Sequence, residues 1–263
     1  MVSVNIRSAL ILTTFNWPAA LNAVLRSIES QAVLPDQVII CDDGSNFETT
    51  EVARDWMKRT QISVKHVWQP DNGFRAARIR NLGILLSDCE HLIFIDGDCL
   101  MPNWFVLEHR RLMNDRVMVA GNRRMLSPSH TEGFLYGPPT VSNLFFSGSK
   151  FVRIRLDFWR DWWSSNWEKV RTCNLSIFKA TLLRVAGFDE SYLGWGREDS
   201  DLVVRLLNTG VKIRSGRYAT TVEHLFHGFE DRASLELNVA KFNNVLEQKN
   251  LFPAQSIFLK DSM

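Results

Sequence analysis

Apolar and polar positions along the first 120 residues alternate between two periods. Ala9–Leu12 is a short apolar run that reads as a strand. Asn16-Trp17-Pro18 then gives a helix start, with Leu21, Val24, Leu25 and Ile28 following at helical spacing. Val38–Cys41 predicts a second strand, followed by Asp42-Asp43-Gly44-Ser45 and a helical stretch from Glu48 to Met57. Ser63–Trp68 predicts a third, then a Pro70-Asp71-Asn72-Gly73 turn and a helix over Ala76–Leu86. The run from His91 ends in Asp96 as a fourth strand, before a helix over Asn103–Met113 and the apolar Val117–Ala120. Strand and helix alternating at this spacing imply right-handed βαβ units around a mostly parallel sheet flanked by helices.

Beyond that the pattern is less regular. Ser127–Thr140 breaks into Pro, Gly and Ser and predicts a loop, not a domain linker, because periodic structure resumes without a charged or low-complexity spacer. Cys173–Phe178 predicts a strand and Ala180–Val185 a short helix. Gly194-Trp195-Gly196-Arg197-Glu198-Asp199 opens a helix running to Asn208, with Gly210 at its stop and Leu202, Val203, Leu206 and Leu207 on one face. Asp231–Gln248 predicts an amphipathic helix packed on the outside.

Composition narrows the class mainly by exclusion. An apolar fraction of 45% and a charged fraction of 23% are those of a soluble globular protein. A formal net charge of +2 gives no reason to expect a nucleic-acid binder. The four cysteines, Cys41, Cys89, Cys99 and Cys173, show no paired spacing, which predicts buried free thiols, not disulfides or a zinc site. Met1–Ser8 lacks a signal-peptide core and no run approaches a transmembrane length, so a cytoplasmic protein is expected. There is no G-x-G-x-x-G and no Walker A sequence, which argues against dehydrogenases and P-loop enzymes.

Chemistry enters with the acids that end these elements. His91-Leu-Ile-Phe-Ile-Asp96-Gly97-Asp98 is a buried strand closing in two carboxylates one glycine apart. In open α/β sheets the ligand lies beyond the carboxyl ends of the strands. Carboxylate oxygens suit Mg²⁺ or Mn²⁺, which in turn hold phosphates. Asp42 and Asp43 end the second strand in the same way, and Glu198 and Asp199 occupy the first turn of a helix. The helix dipole stabilises first-turn acids by roughly 0.3–1 kcal/mol, which accounts for the helix acids but not for the Gly194-Trp195-Gly196 before them. A tryptophan between glycines offers a flat ring on which a sugar can stack, and a carboxylate just beyond it could act as general base toward a sugar hydroxyl.

Taken in order, Thr13-Thr14-Phe15-Asn16, Cys41-Asp42-Asp43-Gly44-Ser45, Asp71-Asn72-Gly73-Phe74-Arg75-Ala76-Ala77-Arg78-Ile79-Arg80-Asn81-Leu82-Gly83-Ile84 and Asp96-Gly97-Asp98 resemble the donor-binding half of family 2 glycosyltransferases of the GT-A fold. Cys173-Asn174-Leu175-Ser176, Gly187-Phe188-Asp189-Glu190 and Gly194-Trp195-Gly196-Arg197-Glu198-Asp199-Ser200-Asp201-Leu202 resemble the acceptor half of the β-1,4-galactosyltransferase and chondroitin polymerase types. The resemblance spans Ala9 to Glu230. It implies one GT-A domain over 1–263: a Rossmann-like nucleotide-sugar half over about 1–120, an acceptor and catalytic half with a smaller sheet over about 121–230, and a C-terminal helix and tail over 231–263.

The same resemblance implies roles residue by residue. Thr13 and Asp42 or Asp43 would cradle a uracil, and Arg75 and Arg80 would reach the diphosphate or ribose. Asp96 would touch the ribose or a metal, and Asp98 would ligate the Mn²⁺ or Mg²⁺ that bridges the phosphates. Trp195, with Gly196 and Asn174, would hold the acceptor. Asp199 would be the general base for inverting displacement, and Glu198 would hold donor or acceptor hydroxyls. A third metal ligand is expected, for which Val222-Glu223-His224-Leu225-Phe226-His227 offers His224 and His227. In an extended strand their odd spacing would point the rings to opposite faces, which favours His224 as the ligand and gives His227 another role.

Two features depart from the pattern or stand outside it. The tryptophan motif has one Trp-Gly followed by Arg197, where the galactosyltransferase version repeats Trp-Gly, so galactose specifically is not implied. The segment 151–167 interleaves Trp159, Trp162, Trp163 and Trp167 with Arg153, Arg155 and Arg160; of a lid over donor and acceptor, a membrane-surface element and ordinary packing beneath a loop, the lid is the reading preferred. The sequence as a whole predicts an inverting transferase. It would move galactose, glucose or an N-acetylhexosamine from a UDP-sugar to a bacterial surface glycan such as lipopolysaccharide core, O-antigen or capsule. Such an enzyme would work in the cytoplasm, at the inner face of the cytoplasmic membrane if the acceptor is lipid-linked. The competing readings are a silent carbohydrate-binding scaffold, disfavoured by the joint presence of Asp98, Trp195 and Asp199, and a nucleotidyltransferase. The latter would want a Gly-rich loop that Leu12-Thr13-Thr14-Phe15-Asn16 does not supply.

Overall fold

The computed structural model describes residues 6–136, 166–228 and 231–262. Most of the 151–167 segment therefore lies outside the described residues. The first half runs β1 (Ser8–Thr14), α1 (Pro18–Glu29), β2 (Gln37–Asp42), α2 (Phe47–Arg59), β3 (Ser63–Trp68), α3 (Ala76–Leu86) and β4 (His91–Asp96), as the periodicity predicts. There follow β5 (Cys99–Leu100), α4 (Phe105–Leu112), β6 (Val117–Ala120), β7 (Arg123–Met125) and α5 (Pro128–Tyr136). The chain then continues through β8 (Asn174–Phe178), α6 (Lys179–Arg184), α7 (Glu198–Asn208), β9 (Lys212–Ser215), β10 (Val222–His224) and α8 (Leu235–Gln248).

Seven strands form the central sheet in the order β3-β2-β1-β4-β8-β6-β9. β1 pairs in parallel with β2 and β4, β2 with β3, and β6 with β9, whereas β8 runs antiparallel between β4 and β6. The continuous apolar runs are explained by burial on both faces. Leu10, Leu12, Val38, Ile40, Ile93 and Ile95 point to one side, against α1 and α4. Ala9, Ile11, Ile39, Leu92 and Phe94 point to the other, against α3, α6 and α7. A smaller sheet, β5-β10-β7, stands beside the carboxyl end of β4.

The 127–140 loop expectation needs correction, because residues 128–136 are the helix α5. Its start carries signals that composition alone hides. Pro128 sits at a first helical position, where its missing N–H costs nothing, and the Ser127 hydroxyl accepts from the His130 N–H at 3.3 Å. Phe134 and Leu135 pack on the core of the α1 side, and the Phe134 carbonyl accepts from Arg26 at 3.0 Å. The short strands β5, β7 and β9 were not foreseen, since two to four residues with polar members show no usable period. Among the described residues no helix is long and apolar enough to cross a membrane.

Candidate active site

Register brings the acids together. Thr13 lies beside Cys41 of β2 on one side and Asp96 of β4 on the other, and Thr14 lies beside Asp42. Three parallel strands therefore end on one line, which is where an open α/β sheet receives its ligand. β8 enters antiparallel with Asn174 opposite Ile95, so the segment before β8 emerges at the same edge.

Asp42 and Asp43 organise the turn after β2. Asp42 is fully buried; its Oδ1 accepts from the Ser45 N–H at 2.7 Å, and Oδ2 lies 3.2 Å from Nε2 of His66. Asp43 accepts from the Arg75 backbone N–H at 2.8 Å and from the Gln69 amide. Burial pushes the Asp43 carboxyl above its ordinary value, against the pull of those donors. Asp43 thus ties β2 to the start of α3, where Arg75 keeps a half-buried side chain, and Asp42 ties it to β3.

Arg80 is placed differently from the expectation that it reaches a diphosphate or ribose. Its guanidinium is buried under three carboxylates: 3.2 Å from Asp96 Oδ1, 3.3 Å from Glu198 Oε1 and 3.5 Å from Asp199 Oδ1. Its Nε donates to the Thr13 hydroxyl at 3.3 Å, and the ring of Phe188 lies 5.7 Å away. One cation joins the acid that ends β4 to both acids that open α7. Burial, and then the neighbouring Asp199 charge, push Glu198 up to about 8. Asp96 is also raised, chiefly by burial and against the pull of Arg80.

Around Asp98 the structure assembles two imidazoles. Gly97 lets the turn lie flat on β1: its N–H donates to the Thr13 carbonyl at 2.7 Å, and a Cβ there would sit 3.0 Å from that oxygen. Asp98 Oδ2 is then 3.4 Å from Nε2 of His224 and 3.4 Å from Nε2 of His227. The opposite-face expectation for the two histidines does not apply, because β10 ends at His224. The Leu225 N–H bonds the Asp98 carbonyl at 2.9 Å, and the chain then turns His227 back toward the acid. The imidazole centroids are 5.1 Å apart.

The Nδ1 atoms lie 2.9 Å from the Leu225 carbonyl and 2.7 Å from the Gly228 carbonyl, so each donates there and leaves Nε2 directed at Asp98. Two ring nitrogens and a carboxylate oxygen thus converge on one point. An O/N donor set of this kind fits Mn²⁺. Cys99 closes the far side, its Sγ 3.4 Å from Asp98 Oδ1, and Asp98, Cys99 and His224 together form a possible metal-holding group.

Ahead of α7, Trp195 is half-buried with the Arg232 guanidinium 5.2 Å from its ring centre. The loop is held by Asn238, whose amide reaches the Leu193 carbonyl at 3.1 Å, and by the Gly194 N–H on the Phe74 carbonyl at 3.0 Å. Gly196 has φ +109, and a Cβ there would lie 2.9 Å from Leu235. Arg197 follows in the left-handed region, its guanidinium 5.4 Å from the Phe242 ring and 5.9 Å from that of Trp167.

Asn174 is placed inside the protein. It donates to the Asn122 carbonyl at 3.0 Å and to the Thr220 carbonyl, and its oxygen faces Nε2 of His109 at 3.1 Å. Burial drives the His109 ring down to about 3, so that ring is neutral. Asn174 thus braces the edge from which the site grows.

Sequence reasoning missed Thr172, whose hydroxyl and N–H both bond Asp199, and His66, which backs Asp42. A lone threonine before a strand carries no spacing signal, and the His66 contact depends on β2–β3 register.

The family model described as glycosyl transferase family 2 matches residues 9–165, more than half of the chain. The chain belongs to glycosyl transferase family 2. A second model, described as the N-terminal domain of galactosyltransferase, matches residues 157–228, which carry Trp195, Glu198, Asp199, His224 and His227. Among curated family relatives, chondroitin synthase of Escherichia coli is 27% identical over 229 residues, covering 79% of this chain and 33% of that protein. Validoxylamine A glucosyltransferase of Streptomyces hygroscopicus subsp. limoneus is 28% identical over 264 residues, covering 93% of this chain and 57% of that protein. The chain thus spans a third to under three fifths of the length of these two relatives. The fold is shared with the mannosyltransferase PcManGT of Pyrobaculum calidifontis, solved with GDP-Man and Mn²⁺, at a TM-score of 0.60 and 17% identity over 90% of this chain and 62% of that one. The GT-A assignment made from the motifs therefore stands.

Proposed function

We propose that the chain is an inverting, metal-dependent glycosyltransferase. It transfers galactose, glucose or an N-acetylhexosamine from a UDP-sugar to a hydroxyl of a bacterial surface glycan such as lipopolysaccharide core, O-antigen or capsule. The observation that carries this reading is the single buried Arg80 that links Asp96, beside the Asp98 site, to Glu198 and Asp199. Donor chemistry and acceptor chemistry are thereby held in one rigid cluster. A pure sugar-binding scaffold has no use for such a cluster.

In this reading Asp98, His224 and His227 hold Mn²⁺ or Mg²⁺, with Asp96 turned to the ribose or the metal. When bound, the ion supplies Lewis-acid stabilisation of the departing diphosphate. Thr13, Asp42, Asp43 and Arg75 shape the nucleotide end. The acceptor sugar lies on Trp195. Its hydroxyl proton passes to Asp199 as the oxygen bonds the anomeric carbon, and the bond to the diphosphate breaks with its electron pair leaving on UDP. Glu198, still protonated near neutral pH, donates to a sugar oxygen. Work in the cytoplasm at the membrane's inner face would suit a lipid-linked acceptor.

The test is a thermal-shift panel of UDP-, GDP-, dTDP- and CMP-sugars, each with Mn²⁺ and with EDTA. A rise confined to a UDP-sugar with Mn²⁺ is expected. A rise with a GDP-sugar, or one unaffected by EDTA, would overturn the donor or the metal assignment respectively.

A further inference from the structure

Asp199 sits in the first turn of α7, where an acid ordinarily bonds the free N–H groups of its own helix. Here it does not. No side chain caps this helix at Arg197, and both Asp199 oxygens turn outward to a residue 27 positions earlier. The Thr172 hydroxyl donates to Oδ1 at 2.7 Å and the Thr172 N–H donates to Oδ2 at 3.1 Å. Arg80 adds a third donor on Oδ1 at 3.5 Å.

Two donors from one residue, one per oxygen, fix the plane of a carboxylate as a bidentate clamp does. Oδ1 thus carries two donors and Oδ2 one, which leaves a lone-pair direction on Oδ2, and the Asp199 side chain keeps 16% exposure. Glu198 next to it bonds Arg80 through Oε1 at 3.3 Å.

Thr172 itself is buried. It is 1% exposed and lies two residues before β8, whose register against β4 is set by the Asn174–Ile95 pair. The Asn174 N–H bonds the Arg171 carbonyl at 3.2 Å, closing a turn around Thr172. The position of Thr172, and with it the plane of Asp199, is thus fixed by the strand that also flanks Asp96.

We propose that Thr172 is a positioning residue for the transfer reaction, its hydroxyl and N–H together aiming the Asp199 carboxylate at the acceptor hydroxyl. This rests on the reading of Asp199 as general base. A misaimed base slows the chemical step without loosening the donor, so the effect falls on kcat and not on KM.

The experiment compares Thr172→Val, which keeps shape and the backbone N–H but loses the hydroxyl, with Thr172→Ser, which keeps it. UDP release from UDP-galactose, UDP-glucose and UDP-N-acetylglucosamine is followed with Mn²⁺, water serving as acceptor. With the donor turned over fastest, Thr172→Val is expected to lower kcat by about 10–100-fold at unchanged donor KM, by analogy with the cost of small misplacements at reacting centres. Thr172→Ser should recover most of the rate. In an Asp199→Asn background, Thr172→Val should cost nothing more. Wild-type kcat in Thr172→Val, an effect on KM alone, a serine variant as slow as the valine one, or an undiminished loss in the Asp199→Asn background would each overturn the proposal. Thr172→Ala against Thr172→Ser gives the same comparison if valine disturbs folding. Wild-type turnover in Asp199→Asn alone would instead remove the base reading, which keeps the two failures distinct.

Discussion

Arg80 on α3 places its Nη1 3.3 Å from Oε1 of Glu198 on α7, across 118 positions of sequence. That contact joins the helix after β3 to the helix that carries the acceptor-side acids. Without it, three carboxylates would face one another in a buried space. Replacing Arg80 by Met should cost about 3–5 kcal/mol in denaturant unfolding at pH 8, the range for stripping one partner from a buried ion pair. The cost should shrink at pH 5, where the acids can take up protons. An equal loss at both pH values would mean that Arg80 acts by packing alone.

Glu198 should make stability depend on pH. Its carboxyl is raised from 4.5 to about 8 in the folded chain, so between those values the folded state keeps a proton that the unfolded state has lost. Stability from this group is complete below about pH 4.5 and disappears as pH rises through about 8. Glu198→Gln should therefore flatten the fall in unfolding free energy across that window and be the more stable protein above it. Parallel profiles for the two proteins would contradict the assignment.

Both histidines should matter to the metal. His224→Ala and His227→Ala are each expected to weaken Mn²⁺-dependent UDP binding by at least about tenfold, the scale seen for groups that set metal affinity. Titration calorimetry with Mn²⁺ and with EDTA reads this directly. A variant indistinguishable from wild type would reduce the set to one imidazole.

Asp189 should hold the C-terminal strap. Its carboxylate accepts from the N–H groups of Ser191 at 2.9 Å, Ala254 at 2.7 Å and Gln255 at 3.2 Å. Asp189→Ala leaves these donors without their acceptor and should cost about 2–3 kcal/mol. The amides of Ala254 and Gln255 should exchange hydrogen faster; unchanged exchange would place the anchor elsewhere.

Much of the fold was legible because its central strands are buried on both faces and its helices are amphipathic: the apolar runs Ala9–Leu12 and Val38–Cys41 fall within β1 and β2, and Leu21, Val24, Leu25 and Ile28 form the buried face of α1. The acids at strand ends were legible for the same reason, since a polar residue closing an apolar run has to face a cleft. What was not legible depends on pairing between distant segments. Nothing near Asp189-Glu190 says that this pair anchors residues 254–257. The sequence shows His224 and His227 three apart, but only the end of β10 at His224 lets both face Asp98. That Arg80, expected to reach the diphosphate or ribose, lies against Asp96, Glu198 and Asp199 is likewise a tertiary fact.

The central claim is that Asp199 takes the acceptor proton at a metal-held donor. The measurement that bears on it most directly is UDP release by Asp199→Asn with Mn²⁺, set beside its affinity for UDP and Mn²⁺. The account expects turnover to fall by at least about 10³-fold, the scale of a lost general base with its geometry intact, while affinity stays at the wild-type value. Turnover near wild type at equal affinity would contradict it.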